Sequence, residues 1–106
     1  MDTENAVSEL KSEIGDLAKV MLNKYKDAAV DDGQDFLDSI KDDLKKWAGM
    51  LSRGEIDKDE FDSLVRGKKD LAEMKALKQL GLAKVQYDKF VNAVIDKTIG
   101  KFIGML

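Results

Sequence analysis

The sequence predicts an all-α fold, an antiparallel up-and-down bundle of about four helices. Its 106 residues include no proline, a residue that turns use often and that helix interiors exclude. Apolar residues recur at spacings of three and four in four successive stretches, which is the period of an amphipathic helix. Short tracts containing glycine join these stretches, and short connections make successive helices antiparallel neighbours.

The first two predicted helices cover about residues 3–30 and 33–51. We expect the break between them at the tract Asp31-Asp32-Gly33, because glycine can adopt the left-handed conformation that ends a helix and an aspartate can cap the next one. The second stretch has one apolar face and one acidic face, and its predicted inward positions are Phe36, Leu37, Ile40, Leu44, Trp47, Ala48 and Leu51.

The third predicted helix covers about residues 57–80. Asp57 stands three residues before Glu60, the spacing of a capping box, in which each side chain accepts a hydrogen bond from the backbone N–H of the other residue. Further along, Met74, Leu77 and Leu80 follow one another every three residues. Because a helix turns once in 3.6 residues, this spacing moves the apolar surface around the axis. The end of this helix therefore needs more than one apolar neighbour.

The fourth predicted helix covers about residues 82–105 and carries a broad apolar arc. The opposite face is thin and combines the small residues Gly100 and Gly104 with Lys97 and Lys101. A chain of 106 residues is long enough for one buried core and too short for two. We therefore expect residues 1–106 to form a single helical domain.

Part of the chain resembles a known family. Residues 44–77 are similar to the SHOCT domain, a short bacterial helix–turn–helix module associated with oligomerisation. The resemblance implies a role in oligomerisation and a bacterial origin; aspartate stands at Asp57, where the family often has threonine. The residues that carry it are Leu44, Leu51, Gly54, Ile56, Asp59, Glu60, Phe61 and Leu64.

The same tract also resembles the second half of a calcium-binding EF-hand loop. With Gly54 at the glycine position of that loop, the first three ligand positions fall on Gly49, Leu51 and Arg53. None of these residues offers a carboxylate, and the arginine repels a cation. A capped helix start explains the tract without calcium.

The composition offers little material for catalysis. There is no cysteine and no histidine, which removes thiolate nucleophiles, thiolate metal sites and the commonest general base. The carboxylates of Asp31, Asp35, Asp38 and Asp42 share a helix face opposite the apolar one, so we interpret them as a solvated flank. The sequence predicts no catalytic residue, no metal or cofactor site and no small-molecule substrate, and hence a protein that is not an enzyme.

Charge and hydropathy limit the partners. Residues 1–50 carry a net charge of −5, which argues against nucleic acid, since that partner needs a clustered basic face. The N-terminus is acidic and polar where a secretory signal is basic and apolar, so we expect a cytoplasmic protein. No run of eighteen apolar residues predicts a membrane-spanning helix.

The remaining function class is a non-catalytic module for protein–protein interaction or oligomerisation, binding itself or another protein. The motive is apolar surface beyond what a small core needs. An alternative hypothesis is a peripheral membrane or lipid-binding protein that acts through the amphipathic C-terminal helix and its lysines. The candidate interface residues are Met74, Leu77, Leu80, Ile99, Phe102, Ile103 and Leu106.

Overall fold

The computed structural model describes residues 2–72 and 74–105. Within these residues the chain is helical and contains no strand, which confirms that the fold is all-α. Short 3₁₀ turns cover Asn23–Tyr25 and Lys69–Leu71. The five α-helices of the described residues are α1 (Thr3–Met21), α2 (Lys26–Ser52), α3 (Lys58–Arg66), α4 (Lys75–Gln79) and α5 (Lys84–Gly104).

The first break in the helical chain is not where the sequence predicted it. α1 ends at Met21, and Leu22 donates its backbone N–H to the carbonyl of Ala18 before the 3₁₀ turn begins. Leu22 is buried, so the side chain that ends α1 also anchors the turn to the core. α2 then continues for 27 residues through positions 31–33 without interruption. The predicted helix end at this tract was wrong.

Gly33 has a packing role instead. A Cβ atom built on Gly33 would lie 2.6 Å from Cγ2 of Ile14, on the facing side of α1. Real Cβ atoms do not come so close to another carbon, so α1 and α2 could not cross at this distance with a larger residue. Turn formation and close helix contact both favour glycine, and the sequence does not distinguish them.

The predicted capping box at the start of α3 is confirmed. The backbone N–H of Glu60 donates to Oδ1 of Asp57 at 2.7 Å, and the N–H of Asp57 donates to Oε1 of Glu60 at 3.2 Å. These bonds satisfy two of the backbone donors that every helix start leaves unpaired.

The predicted third helix is two shorter helices. α3 ends at Arg66, and the five-residue α4 begins at Lys75 after Met74, whose backbone is left-handed with φ 48° and ψ 49°. The break turns Met74 and Leu77 into the core, whereas Leu80 follows α4 and is exposed. One straight helix would have carried this three-residue apolar spacing away from the core.

The core lies among all five helices. α5 contributes a buried face of seven residues, on which the ring centre of Phe102 lies 5.9 Å from that of Phe61 in α3. Among the described residues, no helix combines the length and the apolar content that crossing a bilayer requires. The buried residues of α5 are Phe90, Val91, Val94, Ile95, Thr98, Ile99 and Phe102.

Candidate interaction surface

The structure separates the predicted interface residues into two groups. Met74, Leu77, Ile99 and Phe102 are at most 5% exposed, so they pack inside the chain's own core and present no surface to a partner. This corrects the sequence analysis, which had treated them as surplus. Leu80 is 54% exposed and Ile103 is half-buried; Leu106 lies outside the described residues.

Three of the seven exposed large apolar side chains of the described residues lie in the stretch around the predicted Met74, Leu77 and Leu80. Residues 66–85 link α3, α4 and the first turn of α5, and three large apolar side chains point into solvent there: Leu71 at 47% exposure, Leu80 at 54% and Val85 at 66%. The inward side of the same stretch is occupied by Ala72, Met74 and Leu77.

The same segment is strongly basic. Residues 66–85 carry six basic and two acidic side chains, a net charge of +4, while the rest of the chain carries twelve basic and nineteen acidic side chains, a net charge of −7. We call residues 66–85 the basic segment. Lys69, Lys78 and Lys84 are exposed, and the described residues give none of them an ion pair. The Nζ of Lys78 lies 5.2 Å from the ring centre of Tyr87, a cation–π contact.

A buried carboxylate in α2 holds the basic segment in place. Asp32 is 6% exposed. Its Oδ1 accepts the backbone N–H of Ala76 at 3.1 Å and its Oδ2 accepts that of Leu77 at 2.8 Å. The first turn of α4 is thus capped by a residue 44 positions earlier in the chain, because Met74 offers no side-chain acceptor.

The sequence analysis expected an aspartate of the tract Asp31-Asp32-Gly33 to cap the second helix and missed this role of Asp32. The sequence carried one signal for this role: Asp32 precedes Phe36 by four residues, and this spacing places both residues on the inward face of α2. At the other end of the segment, the hydroxyl of Tyr87 donates to the carbonyl of Ala72 at 3.0 Å.

An acidic stripe lies directly beside the basic segment. Asp31, Asp35 and Asp42 are exposed on α2, and no ion pair is formed by any of the three with residues 2–72 or 74–105. We call these three residues the acidic stripe. The solvated flank predicted from the sequence therefore exists, but Asp38 at its edge pairs with Lys11 at 2.8 Å.

The boundary between stripe and segment is marked by direct bonds. Besides the bonds of Asp32, the carboxylate of Asp43 in α2 pairs with Lys68 at 3.1 Å, and Lys68 also lies over the ring of Trp47. These bonds hold the basic segment against α2 between Lys68 and Leu77, next to the acidic stripe. We call this side of the molecule the α2–α4 face.

The opposite side carries a groove between α1 and α5 with a volume of about 620 Å³. Lys101 crosses it, bound to Glu9 and, at 3.3 Å, to Glu13. The hydrogen bond to Glu9 is the main cause that raises the pKa of Lys101 above its ordinary value. The small-residue face predicted for the last helix, with Gly100 and Gly104, forms one wall. Glu9, Glu13, Asp96 and Lys101 of its lining all form ion pairs, so Lys97 is the one charged side chain of this groove without an ion pair among the described residues.

Within residues 2–72 and 74–105, no three acidic, histidine or cysteine side chains are grouped so that they could hold a metal ion. Comparisons with protein-family models, with curated proteins and with solved structures find no match for this chain. The resemblance of residues 44–77 to the SHOCT module stays a prediction.

Proposed function

We propose that this chain is a non-catalytic helical interaction module that binds another protein, in the first place a second copy of itself, through its α2–α4 face. The observation that carries the proposal is the exposure of Leu71, Leu80 and Val85 in the basic segment, beside an acidic stripe that has no partner in the described residues. Single exposed apolar residues are normal on any protein, whereas a group of them rimmed by charges is typical of a contact surface.

The SHOCT-like tract supports the same proposal. Residues 44–77 include the connection that carries Leu71 and the first three residues of α4. The family association is with oligomerisation, so the two lines of reasoning meet on one part of the chain.

We also propose that α3 and α4 together occupy one place in the predicted up-and-down four-helix bundle. Two contacts with α5 support this arrangement, because the later residue of the first segment meets the earlier residue of α5, as in an antiparallel pair. Phe61 packs against Phe102, and further along Ala72 accepts the hydrogen bond of Tyr87. The third helix of the bundle would then be interrupted rather than absent.

Analytical ultracentrifugation at tens of micromolar tests the proposed self-association. We expect a dimer or larger species for the wild type, and a monomer for the double variant Leu80→Ser and Val85→Ser, because both lose exposed apolar contact area. The matched control is Val20→Ser in α1, which removes the most exposed large apolar side chain, at 84%, from the end of another helix. A wild type that stays monomeric would refute self-association, and equal effects of the control and the double variant would refute the assigned face.

The membrane-surface alternative now depends on a different part of the molecule. The apolar arc of α5 on which it depended is buried, so only the lysines and apolar residues of the basic segment could face a bilayer. That segment has the composition of a membrane-binding surface. The neighbouring acidic stripe would be repelled by anionic lipid, and for this reason we favour a protein partner.

Vesicle co-sedimentation at low salt distinguishes the two classes. A protein-binding module should stay in the supernatant with vesicles that contain phosphatidylserine. Binding that is lost at high salt, with Leu80→Ser and Val85→Ser also abolishing it, would favour the membrane class instead.

A further inference from the structure

We infer that two copies of this chain pair about a two-fold axis, with the basic segment of each copy against the acidic stripe of the other. The inference rests on the proposed function and adds the partner, the symmetry and the charge pairing. It begins from the fact that each copy carries both halves of a complementary contact, a net charge of +4 in the basic segment and three exposed carboxylates in the acidic stripe.

The two halves are at the same level along the molecule. Asp32 bonds to the backbone of Ala76 and Leu77, so the neighbouring Asp31 and Asp35 lie at the height of α4. A second copy turned by 180° about an axis on the α2–α4 face brings its own α4 to this height. Lys78 of each copy then faces the acidic stripe of the other.

The charges are available for this contact. Among the described residues, Lys69, Lys78 and Lys84 have no ion-pair partner, and the Nζ of Lys78 lies over the uncharged ring of Tyr87. Exposed ion pairs contribute little individually. Several opposite charges around an apolar centre fix the register of a contact and exclude wrong partners.

The position of the two halves also decides the symmetry. Because segment and stripe lie side by side on one face, one patch contacts its own copy, and such a contact closes as a dimer. Had they been on opposite faces, each copy would have bound the next in an open chain. The α1–α5 groove on the other side takes no part.

We expect the contact to bury about 800 Å² of each copy, the standard size of a specific interface. Leu71, Leu80 and Val85 supply the apolar part of that area.

Charge reversal tests the pairing directly. Variant A carries Lys78→Glu and Lys84→Glu, and variant B carries Asp31→Lys and Asp35→Lys. Each variant alone should dimerise at least about tenfold more weakly than the wild type, because two like-charged contacts replace two opposite ones. Mixed in equal amounts, A and B should form a heterodimer of near wild-type affinity. The unchanged stripe of A then meets the unchanged basic segment of B, and the acidic segment of A meets the basic stripe of B.

The control has the same change in charge on the other side of the molecule. Lys19→Glu with Lys97→Glu reverses two exposed lysines of α1 and α5 and should leave the dimer affinity within about twofold of the wild type. Far-UV circular dichroism checks that each variant is folded. If variant A loses helical content, the milder pair Lys78→Gln and Lys84→Gln replaces it, with a severalfold weakening expected.

The outcomes separate this inference from the proposed function. A monomeric wild type refutes both. A wild-type dimer that A and B leave intact, or that mixing A with B does not restore, refutes the two-fold charge pairing while self-association stands. Restoration only in the mixture supports it.

Discussion

Replacing Asp32 by alanine tests whether one buried carboxylate fixes the position of α4. The substitution removes both acceptors of the Ala76 and Leu77 amides, which lie 3.1 and 2.8 Å away. A helix of five residues has no stability of its own. Its first turn therefore depends on this cap and on the burial of Leu77.

The expected loss follows from the two bonds. A hydrogen bond to a charged group contributes about 1.5–3 kcal/mol, and loss of a helix cap costs about 0.5–2 kcal/mol. Water can reach the freed amides once the turn loosens, so the costs do not add fully. We expect Asp32→Ala to lower the free energy of unfolding by about 2–4 kcal/mol, with Asp32→Asn between this value and the wild type because one acceptor oxygen remains.

Urea denaturation of dilute protein, followed by circular dichroism and Trp47 fluorescence, measures this loss. The matched control is Asp31→Ala, because Asp31 is exposed and forms no ion pair with the described residues; it should change stability by less than about 0.5 kcal/mol. Amide hydrogen exchange at Ala76 and Leu77 should accelerate in Asp32→Ala alone. Equal stabilities for the two variants would refute the assigned role.

Three further predictions concern single positions, and thermal or urea unfolding measures each of them. Gly33→Ala should destabilise the protein by about 1–3 kcal/mol, because the new methyl group would press on α1. The control Gly15→Ala places no atom within 4 Å of the new Cβ and should stabilise by up to ~1 kcal/mol. Effects of the same sign would contradict the packing role of Gly33. Asp57→Ala should cost about 0.5–2 kcal/mol by removing the capping box, with no response to calcium; a calcium-dependent rise in melting temperature would contradict this interpretation. Lys101→Met should lower the melting temperature at neutral pH. Because the bond to Glu9 raises the folded pKa of Lys101 above its ordinary 10.5, the difference in melting temperature between variant and wild type should shrink as the pH rises through that folded pKa. A difference that stays constant with pH would exclude the ion pair as its cause.

Local features of this fold could be predicted from the sequence. The helical class follows from apolar periodicity and the missing prolines, and the capping box at Asp57 needs only residues three positions apart. Each of these signals involves residues within one or two helical turns of one another. They can therefore be read from the sequence without knowledge of the tertiary contacts.

Long-range contacts decided the rest. The break between α1 and α2 was misplaced because the reason for Gly33 lies in Ile14, on another helix. The third helix was predicted whole because the cap of α4 comes from Asp32, far earlier in the chain.

The sequence predicted only part of the candidate surface, for the same reason. Periodicity identified Leu80 among the surplus apolar residues but could not tell it from Leu77, which differs from it by three positions and by complete burial. The sequence by itself determined the helical class, the capping box at Asp57 and the acidic flank, because each depends on neighbours in the chain. Only the tertiary structure decided which apolar residues reach solvent and which charges lie side by side, because both depend on where the chain folds back on itself.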